Sequence, residues 1–277
     1  VFLFLTKNRI IVSNSRKYLQ FWKKYGPCAL VAGGSDGLGA AFAESLASRG
    51  MNLVLMAREK DRLEATANRI REKYSVDVLP FAVDLGDFEK VKNILADINV
   101  FIGLLVYNAA YAPIGLFENT SEEQLSLAAA VNVKTPLLLA KLLCAPMIQN
   151  RRGGIVLMSS LAGEQGSPKL AAYAATKSFN TILAEGLWKE LRPHGVDVIG
   201  CCAGAILTPG YEQAEKTKQA PGTLTASKVA QLTLKALGKG PVIVPGFVNK
   251  IARFALARLM SRKAAIETMS KNTGGLS

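Results

Sequence analysis

The sequence predicts an α/β fold, a doubly wound parallel sheet with helices on both faces, on three observations. Apolar runs of strand length alternate with helical patterns from Cys28 to about Pro245. Those runs are apolar throughout rather than at every second residue, as in strands buried on both faces. A glycine-rich turn joins the first run to the first helix. At 277 residues, 49% apolar and 20% charged, the chain is globular in composition and long enough for one large domain.

Taken in order, the chain begins with VFLFL, then TKNR, IIV and SNSRK. No run there reaches the ~18–20 apolar residues of a membrane span, and the apolar stretch is shorter than a signal-peptide core. An anchor upstream of Val1, or removal of an initiator methionine, is compatible with that start. RKYLQFWKKY, residues 16–25, mixes aromatics with cations and predicts an amphipathic helix, packed on the domain or laid on a membrane. CALVAG is the first strand, and a helix through AAFAESLASRG stops at Gly50. NLVLMA, VDVLPFAVD and IGLLVYNAA are the next strands, separated by helices over about 59–73 and 87–98. A long helical stretch runs from Ser121 to Ile148, with SEEQ supplying an N-cap and an acidic first turn. GIVLMSS and VDVIGCCAG are strands around a helix that ends near Leu191. ASKVAQLTLKAL is a further helix and PVIVPG the seventh strand. Beyond it, apolar residues at helical spacing are interspersed with Lys250, Arg253, Arg258, Arg262 and Lys263. That tail is read as a helix packed on the core or on a subunit partner, with peripheral membrane contact as the alternative. The expected organisation is an extension over 1–26, one α/β domain over 27–246, and an amphipathic C-terminal helix and tail over 247–277.

Composition removes several function classes. The net charge of +13 favours phosphate-bearing cofactors, acyl carriers or an anionic membrane face. No zinc finger, RNP motif or basic zipper is present, so no nucleic-acid partner is expected. The four cysteines lack CxxC spacing, and Cys28 and Cys201 fall in apolar strands. Reduced core thiols and a cytoplasmic location, with a membrane surface as the alternative, follow. His194 is the only histidine, so neither a metal site nor a Ser-His-Asp triad is expected.

Gly33, Gly37 and Gly39 form GxxxGxG, enclosing Ser35, Asp36 and Leu38. Between a strand and a helix, such glycines let the backbone approach a pyrophosphate, and the helix N-terminus offers free N–H groups. The second strand ends Met56-Ala57-Arg58, with a guanidinium where NAD binders usually carry a carboxylate. NADP(H) is therefore preferred, with NAD(H) as the alternative. Asp84 and Asn108 end the third and fourth strands, on the side where ligands bind in open sheets. Tyr173 and Lys177 stand four apart, on one face of a helix, where an ammonium favours a phenolate. YxxxK alone is a common surface pattern and carries little weight.

Together these motifs make the chain resemble the short-chain dehydrogenase/reductase family, over about Tyr25 to Val244. The matching pieces are GxxxGxG, VD at 83–84, NAA at 108–110, Asn132, Ser160, YxxxK at 173–177 and AGAILT at 203–208. Ser160 precedes Tyr173 by thirteen residues, the family's usual spacing. Ala32, Tyr107, Ala110 and Ala203 depart from the usual pattern. The resemblance implies a single-domain Rossmann fold and hydride transfer between nicotinamide and a carbonyl/alcohol pair. It assigns catalysis to Asn132, Ser160, Tyr173 and Lys177: Ser160 to the substrate oxygen, Tyr173 to its proton, Lys177 to the tyrosine and the ribose, Asn132 to a water relay. It assigns the cofactor to Gly33, Ser35, Asp36, Gly37, Leu38, Gly39, Arg58, Asp84, Leu85, Asn108, Ala109, Ala110, Tyr173, Lys177, Gly204, Ile206 and Thr208. Apolar loops around Tyr173 carry the substrate residues Tyr111, Phe117, Ser160, Leu161, Ile206, Leu207 and Tyr211, which suit an acyl, steroid-like or other apolar carbonyl. KKYGPCALVAGGSDGLG is similar, more narrowly, to long-chain 3-oxoacyl-CoA reductases and 17β-hydroxysteroid dehydrogenases. A homodimer or homotetramer is implied by resemblance alone. Two other readings are a non-catalytic dinucleotide sensor or scaffold, and a nucleotide-sugar epimerase, for which the chain lacks a larger substrate domain.

Overall fold

Strands apolar on both sides need cover on both sides, and the chain supplies it. A computed structural model describes residues 16–208 and 220–273; the expectations for VFLFL and Tyr211 lie outside them. Helix α1 (Arg16–Tyr25) leads into β1 (Cys28–Ala32), every residue of which is fully buried. Then come α2 (Gly37–Ala47), β2 (Asn52–Ala57), α3 (Lys60–Lys73), β3 (Val78–Ala82), α4 (Phe88–Ala96) and β4 (Ile102–Tyr107). Helices α5 (Glu122–Ala129) and α6 (Thr135–Gln149) precede β5 (Gly153–Ser160), α7 (Ala171–Leu191) and β6 (Val196–Ala203). Two short strands, β7 (Ile206–Leu207) and β8 (Leu224–Thr225), are followed by α8 (Ala226–Ala236) and β9 (Val242–Ile243). The main sheet is parallel and seven-stranded, in the order β3-β2-β1-β4-β5-β6-β9. This is the predicted architecture.

Alternate residues of β1 feed opposite cores. Ala29 and Val31 pack with Phe42 of α2, Leu63 of α3 and Val229 of α8. Leu30 and Ala32 pack with Val91 of α4, Leu139 of α6 and Leu191 of α7. The chain leaves β1 toward β3, then returns to β4 on the other side. That reversal opens a crevice beyond the carboxyl ends of β1 and β4. The β7–β8 pair was not anticipated, because two-residue strands are too short to show a period.

The stretch read as one long helix is divided. A capping box between Ser121 and Gln124 starts α5, and a wide π-turn over Ala130–Lys134 separates α5 from α6. The run Glu122–Gln149 is long and apolar enough to cross a membrane by composition. In the fold, Leu139, Leu143 and Met147 are buried against the sheet, as in a core helix. At the N-terminus, Tyr25 is buried and its hydroxyl donates to Asp197 Oδ2 at 2.5 Å, tying α1 to β6. Lys24 also pairs with Asp197. At the other end, α9 (Phe247–Phe254), a wide turn over Ala255–Leu259 and α10 (Arg262–Thr273) follow. Arg253 joins Glu164 at 2.8 Å, fixing α9 beside the turn after β5.

The Tyr25 bond is a buried neutral donor on a charged acceptor. Tyr25→Phe is expected to lower unfolding stability by about 1–3 kcal/mol, read from the urea midpoint at unchanged slope. A midpoint equal to wild type would show that Lys24 alone satisfies Asp197.

Candidate active site

The reversal crevice holds a cleft of about 650 Å³. One end is the glycine loop. Gly33 has φ +80°, and a Cβ there would lie 2.8 Å from the Ala109 backbone. A Cβ on Gly39 would lie 1.7 Å from the Gly33 carbonyl oxygen. Only glycine lets the loop fold so closely on itself and on the end of β4. Asn108 Nδ2 donates to the Gly33 carbonyl at 3.1 Å, and Thr66 Oγ1 donates to the Ser35 carbonyl at 2.8 Å. Asp36 caps α2 by accepting from Gly37 N at 2.6 Å. The turn is therefore a built cradle at a helix N-terminus, and it fits a dinucleotide pyrophosphate. Arg58 and Glu59 line the cleft beyond β2. Arg62 stands 3.8 Å from Asp36, adding a second cation to this end.

The other end is built on β5 and α7. Ser159, one residue before Ser160, donates to the Lys177 carbonyl at 2.6 Å and accepts from Thr181 Oγ1 at 2.7 Å. These two bonds fix α7 to the strand. A Cβ on Gly163 would meet Ser178 N at 2.7 Å, so the turn after Ser160 also packs directly on α7. Lys177 is only 3% exposed. Its Nζ donates to the Met158 carbonyl at 3.0 Å and lies 5.5 Å from the centre of the Tyr173 ring. Desolvation lowers Lys177 to about 8. Tyr173 keeps part of its ring open to the cleft, yet burial around its hydroxyl raises the phenol pKa, and a hydrogen bond with Ser160 opposes the rise. That net direction is opposite to the one a neighbouring ammonium favours.

Asn132 is fully buried behind the cleft, in the wide turn. Its Oδ1 accepts from Tyr111 N at 2.8 Å, and its Nδ2 donates to the Tyr111 carbonyl at 2.7 Å and to Thr176 Oγ1 at 3.1 Å. The side chain thus clamps Tyr111 to α7. The Asn132 carbonyl accepts from Asn180 Nδ2 at 3.0 Å, and Asn180 Oδ1 is left buried without a partner.

Of the predicted residues, the cleft gathers Gly33, Ser35, Asp36, Gly37, Leu38, Arg58, Asp84, Leu85, Asn108, Ala109, Ala110, Tyr111, Ser160, Tyr173, Lys177, Gly204, Ile206 and Thr208. Gly39 packs beneath the loop. Leu161 and Leu207 are not in the lining, and Phe117 is 63% exposed. Six lining residues were not predicted: Ala57, Glu59, Val131, Met158, Ser159 and Ala203. All but Glu59 and Val131 lie within the last three residues of a strand, so the carboxyl-end rule alone signals them. Glu59 follows directly on Arg58. Val131 reaches the cleft through the π-turn, which has no sequence signal. Among the described residues no cluster of metal-ligating side chains occurs.

A short chain dehydrogenase family model matches residues 27–219. A very-long-chain 3-oxoacyl-CoA reductase of Podospora anserina is 36% identical over 71% of this chain and 59% of its own length. An inactive hydroxysteroid dehydrogenase-like protein 1 of Mus musculus is 30% identical over 78% of this chain and 67% of its own. Among solved structures, one of a 7β-hydroxysteroid dehydrogenase superposes with TM-score 0.85 at 26% identity, over 90% of this chain and 98% of that one. A short-chain dehydrogenase from Sphingobium yanoikuyae in complex with NADPH gives 0.71 at 30% identity, over 79% and 87%. The chain therefore spans less than two thirds of the fungal relative.

Burial of Lys177 has a pH signature. Its folded value of about 8 lies below that of an unfolded lysine, ~10.4. Between these, the unfolded chain holds a proton that the folded chain has released, so stability rises with pH. Cofactor-free wild type, measured against Lys177→Met by chemical denaturation, is expected to gain on the order of 1–3 kcal/mol between about pH 7 and pH 10. A difference that stays flat, or falls, across that range contradicts the desolvated lysine.

Proposed function

The chain belongs to the short-chain dehydrogenase/reductase family, and on that footing we propose that it is an NADP(H)-dependent oxidoreductase interconverting a carbonyl and an alcohol. The carrying observation is Tyr173, bonded to Ser160 and with the buried Lys177 Nζ 5.5 Å from its ring, in one cleft with a pyrophosphate cradle. Ser160 hydrogen-bonds the substrate oxygen and sets it against Tyr173. Tyr173 gives its proton to that oxygen as the alcohol forms, and takes it back in the reverse reaction. A bound nicotinamide supplies or accepts the hydride. Lys177 favours the transient phenolate once charge develops, and would hold the nicotinamide ribose of a bound cofactor. Asn132 acts as a positioning residue, holding Tyr111 at the substrate side. A relay through the wide turn needs an acceptor; the Asn132 carbonyl, which accepts one bond from Asn180 and keeps a second lone pair, and the unpartnered Asn180 Oδ1 are both candidates.

NADP(H) is favoured by Arg58, with Arg62 nearby, and by the NADPH complex of the Sphingobium relative. An apolar substrate of acyl or steroid type is supported by the names of the relatives. Leu137 and Leu142 on α6 and Ile182 on α7 are exposed, an apolar face of the kind that subunits of a homodimer cover. The four cysteines are free, in keeping with a cytoplasmic compartment. The inactive mouse relative gives a second reading some footing, a dinucleotide-binding protein without turnover.

Tyr173→Phe is expected to lower turnover by about 100-fold or more while the Kd for NADPH, read by fluorescence, stays near wild type. Unchanged turnover rejects the mechanism. Tight NADPH binding with no turnover on 3-oxoacyl thioesters, steroids, retinoids or aldehydes supports the second reading. Arg58→Ala is expected to weaken NADPH by about ten-fold and leave NADH nearly unchanged. An equal effect on both cofactors refutes the role of Arg58.

A further inference from the structure

Helix α9 turns its apolar side outward. Phe247 is 77% exposed, Ile251 54% and Phe254 59%. These positions fall on one helical stripe, while Asn249 on the opposite side is buried and bonds the Gly222 and Pro245 carbonyls. The stripe is not a face left over from poor packing, because the helix is anchored through its other side. Lys250 and Arg258 lie beside it. With Phe254 they line a groove of about 440 Å³ against Val242 and Val244, at the open edge of the sheet. From residue 239 to 266 the sequence contains lysines and arginines but no Asp or Glu. Among the described residues, Lys250 and Arg258 form no ion pair, while Arg253 is held by Glu164.

We propose that this face docks on an anionic lipid bilayer, with Phe247, Ile251 and Phe254 entering the interface and Lys250 and Arg258 meeting lipid phosphates. An apolar stripe flanked by cations is the pattern of an interfacial helix. Charge decides between the occupants. A second copy, packed by a two-fold on the same face, would set Lys250 and Arg258 against a segment that carries cations and no Asp or Glu from 239 to 266, whereas an anionic surface compensates them. The groove is tied to the turn after Ser160, since Arg253, which lines it, holds Glu164 and Arg262 Nη1 donates to the Glu164 carbonyl at 2.7 Å. Docking therefore sets the turn after Ser160 close to the membrane, where an apolar substrate would be supplied.

The test is co-sedimentation of the full chain with phosphatidylcholine vesicles, with and without phosphatidylserine. It reads binding rather than turnover and is independent of the oxidoreductase reading. Wild type is expected to pellet with the anionic vesicles and to be released by salt. Phe247→Glu/Phe254→Glu and the milder Lys250→Gln/Arg258→Gln are each expected to lower the bound fraction at least about ten-fold. Unchanged thermal melting and far-ultraviolet circular dichroism show that the variants are folded. The proposal is overturned if wild type stays in solution, if neutral vesicles bind as well as anionic ones, or if the Lys250→Gln/Arg258→Gln protein pellets like wild type. A wild-type dimer that becomes monomeric in Phe247→Glu/Phe254→Glu, by light scattering, assigns the face to a second copy and overturns it as well.

Discussion

A lysine buried at the end of a strand is the constraint on which this site depends. Placing the Lys177 amine under the sheet requires a partner for it and a rigid wall around it. The partner is the Met158 carbonyl, and the wall is the Ser159–Thr181 pair that fixes α7 to β5. Tyr173, one turn earlier on α7, is held by the same rivets, and Ser160 is the next residue of the strand. Three side chains with chemistry are thus positioned by two hydrogen bonds from residues with none. The low dielectric that depresses the lysine also raises the tyrosine. Burial therefore disfavours the charged form of both members of the pair.

The cofactor end obeys a different constraint, close backbone approach. Gly33 and Gly39 have no room for a side chain, and Asn108 and Thr66 hold the loop in place from neighbouring elements. One end of the cleft is rigid because side chains are absent, the other because they are bonded. The glycine cradle and Tyr173 share one cleft because the strand order reverses between β1 and β4.

Much of this was legible in the sequence. The apolar strands and the turn at 33–39 indicated the sheet and its crevice, and Ser160, Tyr173 and Lys177 had a fixed spacing. What could not be read had short-range or three-dimensional causes. The π-turn at 130–134 shifts Val131 into the cleft and Asn132 behind it, and no periodicity marks it. Asn132 is bonded to Tyr111, twenty-one residues away, a contact no local pattern encodes. The direction of the Tyr173 shift needed the burial of its hydroxyl as well as the nearby lysine. The outward face of α9 was visible as alternating cations and apolar residues, but its orientation was set by Asn249 and Arg253.

The central claim, that burial keeps Tyr173 protonated as an acid, is tested most directly by NMR of protein labelled with ¹³Cζ tyrosine. The Tyr173 resonance, assigned by its loss in Tyr173→Phe, would be titrated with base in the cofactor-free protein. The account predicts a phenol signal that persists above the ordinary tyrosine value of about 10. A Tyr173 signal that moves to phenolate near neutral pH would contradict it.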